Sequence, residues 1–373
     1  MMEVKTMKKI SLILTLALIL SMLAGCAGTP VVYYTNCTCP TGGQNVPQTP
    51  TEPQTTTEPT QPPVVTEGAL KLGLYIGTNI GDSKSAAADA NGEAKYDVTI
   101  VAVLVDDNGV IADCVIDGIA GSVAFDATGS IVTDLTAPVQ TKNELGENYG
   151  MVAWGGAIAE WDEQAAALAD FAVGKTVEEL RNGAIDENTG KAPEGSDLAS
   201  SATIYLGGFV SAIEAAAANA QHLGAQSGHE LKLAVIASVG SSKSADAENA
   251  GNAQLDVDVT ALTVNGDVIT SCVIDSVQAK VAFDAAGVIT SDVSAAVLTK
   301  NQLGENYGMK AWGGAIAEWN EQAASFAAYV TGKTAAEVAG IAVSEGKPSD
   351  TDLAASVTIA IGGFQALIAK ALQ

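Results

Sequence analysis

Apolar and polar residues alternate along Leu70–Gly77 ("LKLGLYIG"), the pattern of one β-strand. Lys95–Ile119 ("KYDVTIVAVLVDDNGVIADCVIDGI") reads as two strands around the turn Asp106-Asp107-Asn108-Gly109. Asn-Gly between apolar runs favours a hairpin because both residues tolerate positive φ. "VAFDATGSIV" predicts a further short hairpin. The period then changes. Trp154, Ile158, Trp161, Ala165, Leu168 and Ala172 recur three or four residues apart, as on one apolar helix face. Gly174 suits the end of that helix. Thr176 and Glu179 have capping-box spacing and open the next helix. A last helix follows the phrase Ser196–Phe209 ("SDLASSATIYLGGF").

This order of elements occurs twice. "TKNELGENYGM" at Thr141–Met151 returns as "TKNQLGENYGM" at Thr299–Met309. "WGGAIAEWDEQAA" from Trp154 returns as "WGGAIAEWNEQAA" from Trp312, and these segments hold all four tryptophans, Trp154, Trp161, Trp312 and Trp319. Asn265-Gly266 repeats the hairpin turn, Gly332 the helix stop, and Thr334 with Glu337 the capping box. A period of about 150 residues is the size of a domain rather than of a solenoid unit. The expectation is therefore α+β, with two tandem homologous domains at 69–222 and 230–373. Each would be an antiparallel sheet with helices packed on it.

The residues before the repeats carry other signals. Lys8 and Lys9 precede the apolar run "ISLILTLALILSML", and Leu23-Ala24-Gly25-Cys26 follows it. A basic stub, an apolar core and small residues make a secretory signal over 1–26 rather than a membrane span. Leu-Ala-Gly-Cys resembles the lipobox of bacterial lipoproteins. That resemblance implies diacylation at Cys26 (palmitate or similar chains), a membrane-lipid anchor and an extracytoplasmic location. Residues 27–68 include "PQTPTEPQTTTEPTQPPVVTE", whose proline and threonine cannot bury a core and read as a stalk. Cys37 and Cys39 are too close for an easy mutual disulfide and carry no specific role.

Charge and missing residue types narrow the chemistry. The net charge of −25 gives a surface that repels nucleic acid. The acidic loops lack the calcium-loop spacing, and Asp106–Gly109 reads as a turn rather than a metal site. The only histidines, His222 and His229, lie between the repeats, which removes histidine-based triads, dyads and zinc sites from both. Cys114 and Cys272 occupy matching strand positions and read as small core residues. Glu160 and Glu318 read as solvent-facing helix residues. No catalytic residue and no metal ligand is assigned.

The twice-used phrase carries a further resemblance. The first copy reads Asp197-Leu198-Ala199-Ser200-Ser201-Ala202-Thr203, and the second Asp352-Leu353-Ala354-Ala355-Ser356-Val357-Thr358. With the upstream hairpin, the phrase resembles the FMN-binding domain family of bacterial electron-transfer proteins. Members end in Asp-x-x-Ser-Gly-Ala-Thr, and a flavin transferase esterifies FMN onto the threonine. The first copy departs only by Ser201 in place of glycine, while the second also lacks the serine and alanine. The resemblance implies a carrier in extracellular electron transfer, with FMN at Thr203, Thr358 as a weaker second site, and Asp197, Ser200, Ala202 and Asp352 around them. It also implies a flavin transferase and a redox partner. Tyr149 and Trp154 would stack on the flavin ring, and the threonine would sit in the first helical turn, where free N–H groups attract phosphate. The same residues also read as an ordinary helix start capped by Asp197 or Ser200, in a surface ligand-binding or adhesion lipoprotein without cofactor.

Overall fold

The computed structural model describes residues 68–373; the signal segment with Cys26, the stalk, Cys37 and Cys39 lie outside them. The first half builds an antiparallel meander from β1 (Lys71–Asn79), β2 (Gly92–Val105) and β3 (Ile111–Phe125). The second half repeats it with β4 (Glu230–Ser238), β5 (Gly251–Asn265) and β6 (Val268–Phe283). A third, two-stranded sheet joins β7 (Val343–Ser344) to β8 (Lys347–Pro348). The first-half helices are α1 (Lys142–Leu145), α2 (Met151–Gly155), α3 (Trp161–Ala172), α4 (Val177–Ala184) and α5 (Gly207–Ala218). Those of the second half are α6 (Lys300–Leu303), α7 (Met309–Gly313), α8 (Trp319–Val330), α9 (Ala335–Ala339), α10 (Thr351–Ala354) and α11 (Gly362–Ala371). The fold class is thus α+β.

The expected hairpin turns form where the Asn-Gly signals lie. Asp106 Oδ1 accepts the Asn108 and Val110 N–H groups, each at 2.8 Å, and Gly109 has φ +81°. Gly174 and Gly332 take positive φ just past α3 and α8. Thr176 with Glu179 and Thr334 with Glu337 form complete capping boxes.

The long apolar helix face is not continuous. The segment breaks at Gly156, which has φ +64°, and restarts at Glu160, the N-cap of α3. Trp161, Ala165, Leu168 and Ala172 enter the core, whereas Trp154 on α2 and Ile158 in the linker after Gly156 precede α3 and face solvent.

Each three-stranded sheet has two buried faces. The Val101, Val103, Cys114 and Ile116 face packs against α3, α4 and α5; Leu262, Cys272 and Ile274 pack against α8, α9 and α11. The opposite faces pack against each other in one core shared by both halves, including Tyr96, Val98, Ile100 and Phe125 with Leu255, Val257, Val259 and Phe283. The layer order is helices, sheet, sheet, helices.

The two halves meet reciprocally, as copies do across a twofold axis. Phe125 stacks on Phe283 with ring centroids 4.0 Å apart and planes within 2°. Gly92 and Gly251 make room for these rings, since a Cβ at either would lie 2.3 Å from a ring carbon. Ile131 N–H donates to Ser244 Oγ and Ile289 N–H to Ser85 Oγ. Ala245 N–H bonds Gly129 O, and Ala86 N–H bonds Gly287 O. Both repeats therefore lie in one compact unit and share one core.

Truncating either stacked ring leaves a cavity at the shared core. Phe125→Ala should cost about 3–5 kcal/mol in urea unfolding. Tryptophan fluorescence and circular dichroism should report one coincident transition for both halves; two separated transitions would contradict the shared core.

Candidate functional site

The two copies of the tryptophan segment and the two threonine phrases meet around one buried glutamine in each half. Gln164, on the first turn of α3, has no exposed surface. Its Oε1 accepts the Thr203 N–H at 2.8 Å, the Ile204 N–H at 3.2 Å and the Thr203 hydroxyl at 3.3 Å. Its Nε2 donates to Ala159 O at 2.8 Å. Gln322 repeats this with Thr358 N–H at 2.8 Å, its hydroxyl at 3.2 Å, and Ala317 O at 2.9 Å. A buried amide with both ends used joins the threonine loop to the loop that follows Trp154 or Trp312.

A buried carboxylate holds the tryptophan turn itself. Glu160 is 6% exposed and Glu318 3%, so neither is the solvent-facing residue its position suggested. Glu160 accepts Met151 N–H at 2.8 Å and Val152 N–H at 3.0 Å, the free donors at the start of α2. Glu318 does the same for Met309 and Lys310, at 2.8 and 3.0 Å. Glycines in the left-handed region, Gly150 and Gly156, bound the turn on both sides. The clamp presents bare indoles: Trp154 is 85% and Trp312 92% exposed, with Ile158 and Ile316 exposed beside them.

The other tryptophans serve packing. Trp161 meets the Phe209 edge at 5.7 Å, and Trp319 meets Phe364 at 5.8 Å. Lys142 Nζ lies 4.8 Å from the Trp161 ring centre and 5.6 Å from that of Tyr149, and Lys300 repeats this with Trp319 and Tyr307. Burial lowers the Lys300 pKa below the ordinary lysine value. Tyr149 thus packs under a lysine, and Trp154 is the open ring of the pair expected to stack on a ligand.

The threonine loops correct one expectation. Thr203 does not sit in a first helical turn, because α5 begins at Gly207 and α11 at Gly362, four residues beyond each threonine. Asp197 precedes a single 3-10 turn, Leu198–Ser200, without a side-chain capping bond. Ser200 Oγ donates to Asp197 O at 2.6 Å, and Ala202 is buried. In the second half Asp350, not Asp352, caps the short helix.

FMN, the group implied by the resemblance, meets a mixed reception. The Thr203 residue is exposed and its backbone is pinned, which suits an attachment point. Gln164, however, already occupies the N–H groups of Thr203 and Ile204, so this loop offers them to no phosphate. The residues present do not form the expected phosphate cradle.

Among the described residues no cluster of three or more histidine, cysteine or acidic groups could hold a metal. Burial pushes the Cys114 and Cys272 thiols up to about 12, which leaves them protonated and unreactive. No protein-family model, curated protein or solved structure matches the chain.

Two aspartates went unnoticed in the sequence. Asp117 accepts Gly118 and Asn143 N–H groups, and Asp275 those of Ser276 and Asn301, fastening α1 and α6 to strands β3 and β6. The repeated "VID" of "ADCVID" and "TSCVID" was their only signal. Burial raises both carboxyls from 3.8 to about 6. Between those values the folded chain retains protons that the unfolded chain has lost. These aspartates therefore reduce stability as pH rises from about 4 to about 6. Asp117→Asn with Asp275→Asn should remove that part of the fall, about 2–3 kcal/mol per site, in urea unfolding compared at pH 4 and pH 7. An unchanged pH difference would contradict the assignment.

Proposed function

We propose that the chain is a membrane-anchored, extracytoplasmic binding protein whose two homologous halves engage flat-faced ligands through the Trp154 and Trp312 turns. The observation that carries this reading is the pair of nearly bare indoles, each on a turn fixed by a buried carboxylate and left-handed glycines. An exposed large ring normally gains by burial, and one held rigid loses little entropy when a partner covers it. Anchoring rests on the lipobox resemblance at Cys26, which lies outside the described residues. The halves at 69–222 and 230–373 are read as duplicated copies of one FMN-binding-like ancestor.

A second reading is a flavin-based electron carrier with FMN esterified at Thr203. It is favoured by the exposure of Thr203 on a pinned loop joined through Gln164 to the tryptophan turn. The Thr203 and Ile204 N–H groups are already taken by Gln164, so this loop supplies no phosphate cradle.

Tryptophan fluorescence titrated with riboflavin, FMN and a cello-oligosaccharide tests the first reading. Saturable quenching should occur with at least one of these flat-faced probes. It should fall at least about tenfold in affinity in Trp154→Ala/Trp312→Ala, as for loss of a central aromatic anchor. Identical titrations in wild type and variant would defeat it. Intact mass after coexpression with a flavin transferase tests the second reading: an FMN increment lost in Thr203→Ala supports it, and an unmodified chain refutes it.

A further inference from the structure

The approximate twofold relation between the halves implies that each groove along their boundary has a twin. One such groove is filled. Lys370, in the last turn of α11, donates from Nζ to the carbonyl of Val235 on β4 and pairs with Glu144 of the first half. The next residue of the same free edge, Ala237, is bridged by Val139. At the twin position the places of Lys370 and Glu144 are taken by Ala215 and Gln302. There a cavity of about 680 Å3 opens between β1 and the end of α5 on one side and β6 and α8 on the other.

The open groove holds unmet hydrogen-bond acceptors beside the Leu74 and Ile76 N–H groups, which face the same free edge. Backbone groups of Leu70 and Leu72 point to the free edge of β1, where they bond Ala225 and Gln221. The Leu74 carbonyl on that edge accepts Asn219 Nδ2. Alternation along an antiparallel strand turns Ile76 the same way. Its carbonyl is the counterpart of the Val235 oxygen that Lys370 reaches, and no side chain among the described residues donates to it. Asn320 Oδ1 is buried at the opposite wall without a donor, as is Asp162 Oδ1 at the equivalent place. Asp275 is the one charged side chain of the described lining, and it is acidic.

We propose that this groove binds a small organic cation, a primary ammonium on an alkyl chain, in the manner that Lys370 fills the twin groove. The ammonium replaces the missing lysine head at the Ile76 carbonyl, and the alkyl part lies along Leu74, Ile274 and Ala327. The volume falls within the range of small-molecule sites, about 300–1,000 Å3, and leaves room for a substituent beyond a lysine-length arm. The net charge of −25 raises the local cation concentration, while the groove supplies shape and aligned acceptors. The site is independent of the tryptophan turns.

Calorimetric titration with 1,5-diaminopentane and n-pentylamine in ~0.15 M salt, where loose surface attraction is screened, tests the proposal. Both amines should bind saturably at a single site, and 1-pentanol, with the same chain and no charge, should not. Ala215→Lys/Gln302→Glu rebuilds the plug with residues the other half already accommodates, and circular dichroism checks its fold. It should weaken amine binding at least about tenfold. Lys370→Ala/Glu144→Gln opens the twin and should raise the stoichiometry from one to two. No saturable amine binding, equal binding by the plugged variant, or a stoichiometry of one in the opened variant would each overturn the proposal.

Discussion

The face-to-face packing of the two three-stranded sheets is the constraint on which everything else rests. A three-stranded meander with one helical layer still exposes an apolar face, and here each half supplies the cover for the other. Phe125 and Phe283 stack at the centre of this arrangement, and the opposing glycines Gly92 and Gly251 exist to admit them. Sheets buried on both faces give nearly continuous apolar strands, in contrast to the alternation of a one-sided sheet. Val98–Val105 is such a strand: apart from Thr99 every one of its residues is buried. Duplication therefore produced an intramolecular dimer rather than two beads on a string, which is why the boundary repeats its hydrogen bonds in both directions.

Rigidity at the surface follows from polar groups placed inside. Glu160 and Gln164 are one turn apart at the start of α3, and both are buried. The carboxylate gathers N–H groups from α2, while the amide gathers them from the threonine loop. A buried polar side chain is tolerated only when its bonds are made, and these two make theirs with backbone that would otherwise be free loop. The cost of burying them is offset by fixing two loops to one helix. The exposed indoles are consequently not loose side chains on mobile segments; they project from turns whose backbone has been locked from beneath.

The strands, turns, capping boxes and duplication were legible because they depend on local pattern. The hairpin at Asp106–Gly109 and the boxes at Thr176 and Thr334 form where neighbouring residues require them. The helix through Trp154 was misread because period alone cannot see that Gly155-Gly156 ends one helix and Glu160 caps another. The apolar residues at Trp154 and Ile158 keep helical spacing but lie ahead of the Glu160 cap, outside α3. Glu160 was misplaced for a related reason: a glutamate beside a tryptophan has no sequence signature for accepting N–H groups eight and nine residues back. Thr203 was recognisable as the special residue of its phrase, yet its tie to Gln164, 39 positions away, is purely tertiary. The shared core had a signal in "TIVAVLV", too uniformly apolar for a sheet with only one covered face.

Near-symmetry makes the small differences between the halves informative. Identical halves packed about a twofold axis would offer identical grooves, and any plug would appear twice. Lys370 and Val139 instead close one side only, and Ala215 leaves the other open. A similar divergence appears on the outer sheet surfaces. Gln278 of β6 bonds Asp256 and Tyr307, whereas Ala120 stands at its place in β3, beside a smaller cavity of about 360 Å3 near Lys142. Both openings lie where the other half carries a longer polar side chain, Lys370 in place of Ala215 and Gln278 in place of Ala120. Where one copy keeps a feature closed with its own atoms and the other does not, the closed copy displays the chemistry that the open one lacks. In the larger groove that chemistry is an ammonium group at a strand carbonyl. The Ile76 carbonyl on the open edge of β1 is thus an acceptor without the donor that its twin at Val235 has.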